Sequence, residues 1–201
     1  MTSRSDNFNR ADTTNAIGTP SDGGSAWSAQ SGTWGIASNR GYESGSSTQA
    51  TCVLEASSAV VTVQATLATV GGNPGLVVRA SDDSNYIVGV YAPGLGPGMA
   101  VYKRVASNFT QLGSTFVGAV SANDVMALDA DASNNIAWKQ NGTSRVTATD
   151  SHNSTATKHG IRAHQDTVTR FEDFSITDNG GGGGGTSAAV FYFHRTQQGM
   201  S

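Results

Sequence analysis

The most regular alternation of apolar and polar residues lies between residues 59 and 105, and it predicts four consecutive strands. The first covers residues 59–68, where one face carries Val61, Val63, Ala65 and Leu67. A period of two is typical of a half-buried antiparallel strand. Residues 75–80, 86–92 and 98–105 are the other three predicted strands. Gly, Asn, Asp and Pro fill the breaks between them, so the pattern predicts an all-β sandwich, barrel or jelly roll.

Shorter strands follow the central four, and no helix is predicted anywhere. Residues 108–113 and 116–120 read as a loosely patterned hairpin. Asn141-Gly142, between residues 135–140 and 144–149, is a strong type I′ hairpin signal. The last two predicted strands cover residues 158–164 and 168–177. We therefore expect an antiparallel architecture throughout.

Both ends of this β-rich region resemble one known family of sandwiches. The run Asp6-Asn7-Phe8-Asn9-Arg10-Ala11-Asp12, followed by Trp27, Gly32-Thr33-Trp34-Gly35-Ile36 and Tyr42, is similar to the opening of concanavalin A-like (laminin G-like) jelly-roll domains. Gly160-Ile161-Arg162-Ala163 and residues 170–176 (RFEDFSI) resemble their closing strands. The resemblance covers about residues 6–177 and implies one jelly-roll domain, which we assign to residues 1–177. It also implies that the first and last strands lie together, with Phe8 near Phe174.

The composition changes abruptly after that domain. Six consecutive glycines make residues 178–187 a flexible linker. Residues 188–201 then form a C-terminal peptide with an apolar, strand-forming run. Exposed aromatic residues favour aggregation, so we expect this peptide to dock, either on its own sandwich or on a neighbouring subunit by strand addition, and we favour the neighbouring subunit. The predicted anchor residues are Val190, Phe191, Tyr192, Phe193 and Arg195.

Composition and charge exclude several classes of function. The net charge of −3 gives no general attraction to nucleic acid or to anionic lipid. No run approaches the ~20 apolar residues of a membrane span. The single cysteine, Cys52, excludes an internal disulfide and is expected to be buried. Because the N-terminus lacks an apolar signal region, we expect the protein to be made in a cytoplasm and to stay folded without disulfides.

Catalytic groups are sparse. Glycoside hydrolysis needs two carboxyl groups that flank one bond, but Glu43, Glu55 and Glu172 are far apart in the sequence. Asp129 and Asp131 form the only carboxylate pair that shares a strand face, and we interpret them as part of a solvated outer face. His159 and His164 are interpreted as surface or loop residues. We therefore expect no catalytic residues and no enzymatic activity.

Two kinds of binding site remain open. Trp27, Tyr91 and Tyr102 are candidate carbohydrate contacts, because aromatic rings stack on sugars, although Trp27 could instead fill the core. No cofactor is expected, with calcium left as an alternative. Its oxygen ligands would come from Asp82, Asp83 and Asn85, or from a second set, Asp129, Asp131 and Asn134.

These features support two hypotheses about function. The first is a structural protein of a bacteriophage virion, because a compact β domain with a glycine-tethered C-terminal peptide, and without disulfides or catalytic groups, suits a module added to a particle. This combination resembles phage proteins that carry a concanavalin A-like domain on the particle surface. A head decoration or head-fibre protein is favoured, with capsid or tail subunits as partners, a trimer as the oligomer and the virion as its location. The alternative is a lectin-like, carbohydrate-binding module that recognises a host surface glycan, for example within a tail fibre. A glycoside hydrolase ranks third.

Overall fold

The computed structural model describes residues 3–93 and 98–180, which form two packed antiparallel sheets. Alternating sequences build most of the strands, and turn-forming residues separate them. The strands are β1 Arg4–Asp6, β2 Ser28–Ser31, β3 Trp34–Ile36, β4 Gly41–Glu43, β5 Ala50–Glu55, β6 Val61–Thr69, β7 Gly75–Asp82, β8 Asn85–Ala92, β9 Gly98–Val105, β10 Asn108–Val117, β11 Val125–Ala130, β12 Asn135–Gln140, β13 Thr143–Thr149, β14 Lys158–Ala163 and β15 Arg170–Asp178.

The chain crosses between the two sheets several times. The eight-stranded sheet has the order β13-β12-β11-β6-β15-β4-β3, with β1 also paired to β15. The seven-stranded sheet has the order β10-β9-β8-β7-β14-β5-β2. Of the four central strands predicted from the sequence, β7, β8 and β9 are therefore neighbours in one sheet, whereas β6 lies in the other. The predicted all-β sandwich is confirmed.

The core lies between the sheets and is built by the inward residues of both. In β6, Val61, Val63 and Ala65 are fully buried, while the residues between them are partly exposed, as the alternation predicts. Cys52 lies in the same core and is 1% exposed. At the turn between β12 and β13, Asn141 and Gly142 both have positive φ, which is the geometry of the predicted type I′ hairpin.

The first and last strands pair, as the resemblance implied. Asp6 lies opposite Phe174 in the β1–β15 register. Asp6 is 1% exposed, and its carboxylate accepts hydrogen bonds from the Arg10 guanidinium at 2.7 and 2.8 Å and from the Trp27 indole at 2.7 Å. The Trp27 ring packs between Phe8 and Phe174. The opening motif therefore closes one end of the sandwich.

Three sequence interpretations need correction or fall outside the structure. The predicted hairpin of residues 108–113 and 116–120 is wrong: residues 108–117 form the single strand β10, which pairs with β9 in an irregular register. His159 is fully buried rather than a surface residue, because its strand, β14, lies between two others. The predicted anchor (Val190, Phe191, Tyr192, Phe193, Arg195) and most of the 178–187 linker lie outside the described residues. Within those residues, no helix is long and apolar enough to cross a bilayer.

Candidate ligand-binding groove

The face of the seven-stranded sheet that points away from the eight-stranded sheet, here called the outer face, is unusually apolar for a surface. Val53, Val77, Tyr86 and Val88 lie on this face and are at most 1% exposed. They form a second hydrophobic cluster, separate from the core between the sheets. Both faces of β7 and β8 are therefore buried over most of their length, although no further sheet covers the outer face. Long side chains from neighbouring strands provide the cover.

A groove of about 240 Å³ opens on this face. Small-molecule sites usually enclose ~300–1,000 Å³. The groove is therefore small, and it suits a short ligand rather than a long one. Its base is apolar, and its rim carries amide, imidazole, phenol and guanidinium groups. The residues that line it are Gln49, Asn73, Val88, Val90, Ala92, Tyr102, Phe109, Arg162 and His164.

Two aromatic rings frame one side of the groove. Phe109 lies on β10 opposite Arg104 of β9, and Tyr102 is two residues earlier on the same face of β9. The two rings meet edge to face, with centroids 6.2 Å apart. Phe109 remains 39% exposed, so part of its ring is available for contact with a ligand. Tyr86, fully buried beneath, meets the Phe109 ring at 6.3 Å.

Two arginines from different strands converge on the same ring. The guanidinium carbons of Arg104 and Arg162 lie 5.3 and 5.9 Å from the Phe109 centroid. Arg162 is 7% exposed and Arg104 is 9% exposed. Arg162 donates to the Gln49 side-chain oxygen at 3.0 Å, and Arg104 donates to the Asp83 carbonyl oxygen. The Nε atom of each arginine is buried and has no hydrogen-bond partner among the described residues.

Among the described residues, neither arginine pairs with a carboxylate. The five ion pairs of this part of the chain involve other basic side chains. Burial lowers the pKa of Arg162, and the neighbouring Arg104 charge lowers this pKa further, against opposing contributions from the Tyr86 and Tyr102 hydroxyl groups. Arginine nonetheless stays charged in proteins. The outer face therefore holds two buried positive charges.

Amide and imidazole groups complete the far side of the groove. The Gln49 side-chain nitrogen lies 3.3 Å from His164 Nδ1, and the same imidazole nitrogen contacts the Thr48 carbonyl oxygen. The Asn73 backbone N–H donates to Asp166 at 3.2 Å, and the Asp166 carboxylate also accepts from Thr169 Oγ1 at 2.5 Å. The Asp166 carboxylate thus stabilises its own loop through these hydrogen bonds. These contacts leave polar groups of both donor and acceptor type at the rim.

The structure brings only one of the three predicted sugar contacts into this groove. Tyr102 lines it. Tyr91 points the other way and is 7% exposed within the core, because it has the opposite parity to Val88 and Val90 on β8. Trp27 is 8% exposed, and both its ring and its N–H are engaged at the end of the sandwich. Neither Trp27 nor Tyr91 presents a ring face to a sugar.

The proposed calcium ligands are engaged in turns. Asp82 accepts from the Ser84 backbone N–H and from the Asn85 side-chain amide, both at 2.8 Å. Asn85 therefore turns its nitrogen, not its oxygen, toward Asp82, and this is the wrong atom for a shared cation. Asp83 contributes its carbonyl oxygen to Arg104. The hydrogen bonds thus explain the Asp82–Asn85 loop as the turn between β7 and β8.

The second oxygen-rich set is also committed to other contacts. Asp131 accepts from the Ser133 and Asn135 backbone N–H groups at 2.8 Å, and Asn134 Oδ1 accepts from Arg79 at 3.1 Å. Asp129 pairs with Lys139 on the eight-stranded sheet. Among the described residues, no group of three or more His, Cys, Asp or Glu side chains is placed to hold a metal ion.

Comparisons with solved structures identify the architecture. The chain matches carbohydrate-binding module CBM66 from Bacillus subtilis at a TM-score of 0.60 and 13% identity, covering 75% of this chain and 95% of that one. It matches Bacillus licheniformis β-glucanase at 0.55 and 12% (89% and 99% covered) and the Emp47p carbohydrate recognition domain at 0.52 and 12% (87% and 92% covered). The fold is a concanavalin A-like jelly roll. No protein-family model and no curated protein matches the sequence.

The sequence interpretation missed most of the groove. Arg162 appears in it only as part of the resemblance, and Arg104 is not assigned a role in it. A usable signal was the i, i+2 spacing of Tyr102 and Arg104, which places both on one strand face. Phe109 carries no such signal, because the pattern of residues 108–113 is weak. Arg162 could join the set only once β14 was known to lie between β7 and β5.

Proposed function

We propose that this protein is a carbohydrate-binding module whose ligand occupies the groove on the outer face of the seven-stranded sheet. The observation that carries the proposal is the partly exposed Phe109 ring beside Tyr102, surrounded by hydrogen-bonding side chains. Saccharides combine apolar ring faces with hydroxyl groups. A groove with an apolar base and a few directed polar groups is the usual form of such a site.

The polar groups of the rim suit hydroxyl recognition. Asn73 and Gln49 can each donate and accept, and the Tyr102 hydroxyl can do both as well. Arg162 adds donors in a fixed planar arrangement. The solved structures of similar fold include a carbohydrate-binding module and carbohydrate recognition domains. Their presence agrees with the proposal, whereas the ligand of this chain has to be inferred from its own residues.

The same groove favours binding over hydrolysis. A glycoside hydrolase of the common type needs two carboxyl groups roughly 5–10 Å apart across the scissile bond. None of the residues that line the groove is Asp or Glu. We therefore propose a non-enzymatic role, although enzymes are also found among the proteins with this fold.

A glycan panel with matched variants tests the proposal. Phe109→Ala should weaken binding of any glycan that the protein recognises by about tenfold or more, since a partly exposed ring at a binding site is a typical hot spot. Tyr42→Ala is the control, because Tyr42 is a half-exposed ring stacked with Arg170 on the other sheet. Affinities would be measured by titration calorimetry.

Two outcomes would contradict the proposal. Absence of binding across neutral and acidic glycans would exclude the function. Equal losses in Phe109→Ala and Tyr42→Ala would exclude the groove as the site. The virion role predicted from the C-terminal peptide stays a prediction, since the predicted anchor residues lie outside the described residues: Val190, Phe191, Tyr192, Phe193 and Arg195. The predicted virion partners, trimer and location stay predictions as well.

A further inference from the structure

Two buried arginines without a counter-ion are the least expected feature of the outer face. Burial of a charge costs free energy, and proteins normally offset this cost with an opposite charge and a full set of hydrogen bonds. Arg162 and Arg104 have no carboxylate partner, and one buried Nε–H of each has no acceptor among the described residues. They also repel each other: burial lowers the pKa of Arg162, and the neighbouring Arg104 charge lowers it further.

The aromatic ring between the arginines does not remove this imbalance. Contacts of both guanidinium groups with Phe109 supply a favourable cation–π interaction. An aromatic face carries no net charge, however, so the local charge of the cluster stays positive. The ring instead holds the two guanidinium groups close to the groove, where Arg162 is a lining residue.

We infer that the groove recognises an anionic saccharide, whose carboxylate or sulfate group binds at Arg162 with Arg104 behind it. The inference rests on the proposed carbohydrate-binding function and adds the class of ligand. A guanidinium presents parallel N–H donors that match the two oxygens of a carboxylate or sulfate group. A negative group here would supply the missing counter-charge.

Surrounding residues fit this chemistry. No carboxylate lines the groove to repel an anion. His164 and the Gln49 amide stand on the same side as Arg162 and provide further donors. Tyr102 and Phe109 remain for the apolar face of the sugar ring. One charged sugar unit is also the size that a groove of about 240 Å³ accommodates.

The test uses pairs of probes that differ only in charge. Oligogalacturonate would be compared with its methyl ester, and a sulfated galactan oligosaccharide with its desulfated form. We expect each anionic probe to bind roughly ten- to hundredfold more tightly than its neutral form, the range typical of hydrogen bonds to charged groups. The probe with the larger ratio identifies the natural anion as carboxylate or sulfate. Inorganic sulfate alone is the control for non-specific ion binding.

Variants assign the effect to the groove. Arg162→Gln should remove the preference for the anionic probe, because the loss of affinity for the anionic form should exceed the loss for the neutral form by about tenfold or more. Arg145→Gln is the matched control. Arg145 also stacks on a phenylalanine, Phe116, and its buried Nε also lacks a hydrogen-bond partner among the described residues. It differs from Arg162 because it lies near the carboxylate of Asp124 and does not line the groove. In the unmodified protein, the Arg162 Nε–H resonance should shift on titration, which supplies a readout that does not depend on the folding of a variant.

Each result decides between the claims. Equal affinity for charged and neutral probes, or a preference that survives Arg162→Gln, overturns the inference and leaves carbohydrate binding standing. Inorganic sulfate binding as tightly as the anionic saccharides also overturns it. If neither probe of either pair binds, and the wider panel is negative as well, the proposed function fails together with the inference.

Discussion

Arg79 and Arg162 are both buried arginines of the seven-stranded sheet, yet their surroundings differ in a way that separates structure from function. Arg79 is 1% exposed and points into the end of the sandwich. Its guanidinium donates to the Ala59 and Asp131 carbonyl oxygens at 3.1 and 2.8 Å and to Asn134 at 3.1 Å. The nearby charges of Asp131 and Asp150 favour its protonated form against the cost of burial.

Arg162 lacks those compensations. Its guanidinium donates to Gln49 and interacts favourably with the Tyr86 hydroxyl, but its charged neighbour is another arginine. The two residues show that burial alone does not indicate a role. An arginine with a full set of acceptors holds strands together, whereas an arginine that lacks acceptors, beside an open groove, has donors left for a ligand. This difference predicts opposite effects of the same substitution.

The largest expected effect is the loss of stability in Arg79→Met. Methionine keeps much of the side-chain volume but leaves buried carbonyl oxygens without donors, so the free energy of unfolding should fall by about 3–5 kcal/mol. Arg162→Met should instead leave it unchanged or raise it by about 1 kcal/mol, since removal of an uncompensated buried charge offsets the lost contact with Phe109. Urea denaturation of both variants measures the contrast. Similar losses in the two would remove the distinction.

His159 sharpens the comparison, because it completes the cluster around Arg79. Its Nδ1 accepts from the Arg79 backbone N–H at 3.1 Å, and its Nε2 donates to the Ser58 carbonyl oxygen at 2.9 Å. Burial lowers the pKa of His159 from 6.5 to about 4, with the Arg79 charge adding to the shift. The imidazole is therefore neutral in the folded protein, and its protonation would place a proton against the Arg79 N–H.

This shift gives a pH dependence of defined sign. Between pH 6.5 and about 4, the unfolded chain binds a proton at His159 that the folded protein does not, so stability is lost as the pH falls through this window. At ~1.4 kcal/mol per pKa unit, the loss is about 3 kcal/mol. His159→Gln, which can keep the bond to Ser58, should flatten the curve. The lowered pKa values of Asp82, Asp124 and Asp150 act below this window, near and under pH 4.

Equilibrium denaturation at several pH values tests the assignment. If wild type and His159→Gln lose stability in parallel between pH 6.5 and 4, another group is responsible. The groove should be insensitive to this substitution, because His159 faces the core and Arg162 faces outward from the same strand. Retained glycan binding in folded His159→Gln at pH 7 would agree with that separation.

Much of the fold was predictable from the sequence, because its main signals are local. The alternation in β6 and the Asn141-Gly142 turn depend on neighbouring residues alone, and both are confirmed. The pairing of the first and last strands came from resemblance rather than from periodicity. The burial of both faces of β7 and β8 over most of their length was not predictable in this way, since it depends on side chains of other strands, such as Arg104 and Phe109 against Tyr86.

The site was less predictable, for a physical reason. Sequence gives the parity of a strand residue but not which face looks inward, so Tyr91 and Tyr102 were interpreted alike although they point to opposite sides. A positive φ of 55° at Arg79 adds an irregularity to β7 that no pattern reveals. The convergence of Arg104, Phe109 and Arg162 joins three strands, and it depends on sheet order, which only the structure supplies.

Chemical-shift mapping of a bound glycan tests the central claim most directly. The glycan with the highest affinity in the panel would be titrated into ¹⁵N-labelled protein. We predict that the largest changes fall on Tyr102, Phe109 and Arg162, with little change at Tyr42 or Trp27. Changes concentrated on the eight-stranded sheet, or at the Trp27 end of the sandwich, would contradict the assignment of the outer-face groove as the ligand site.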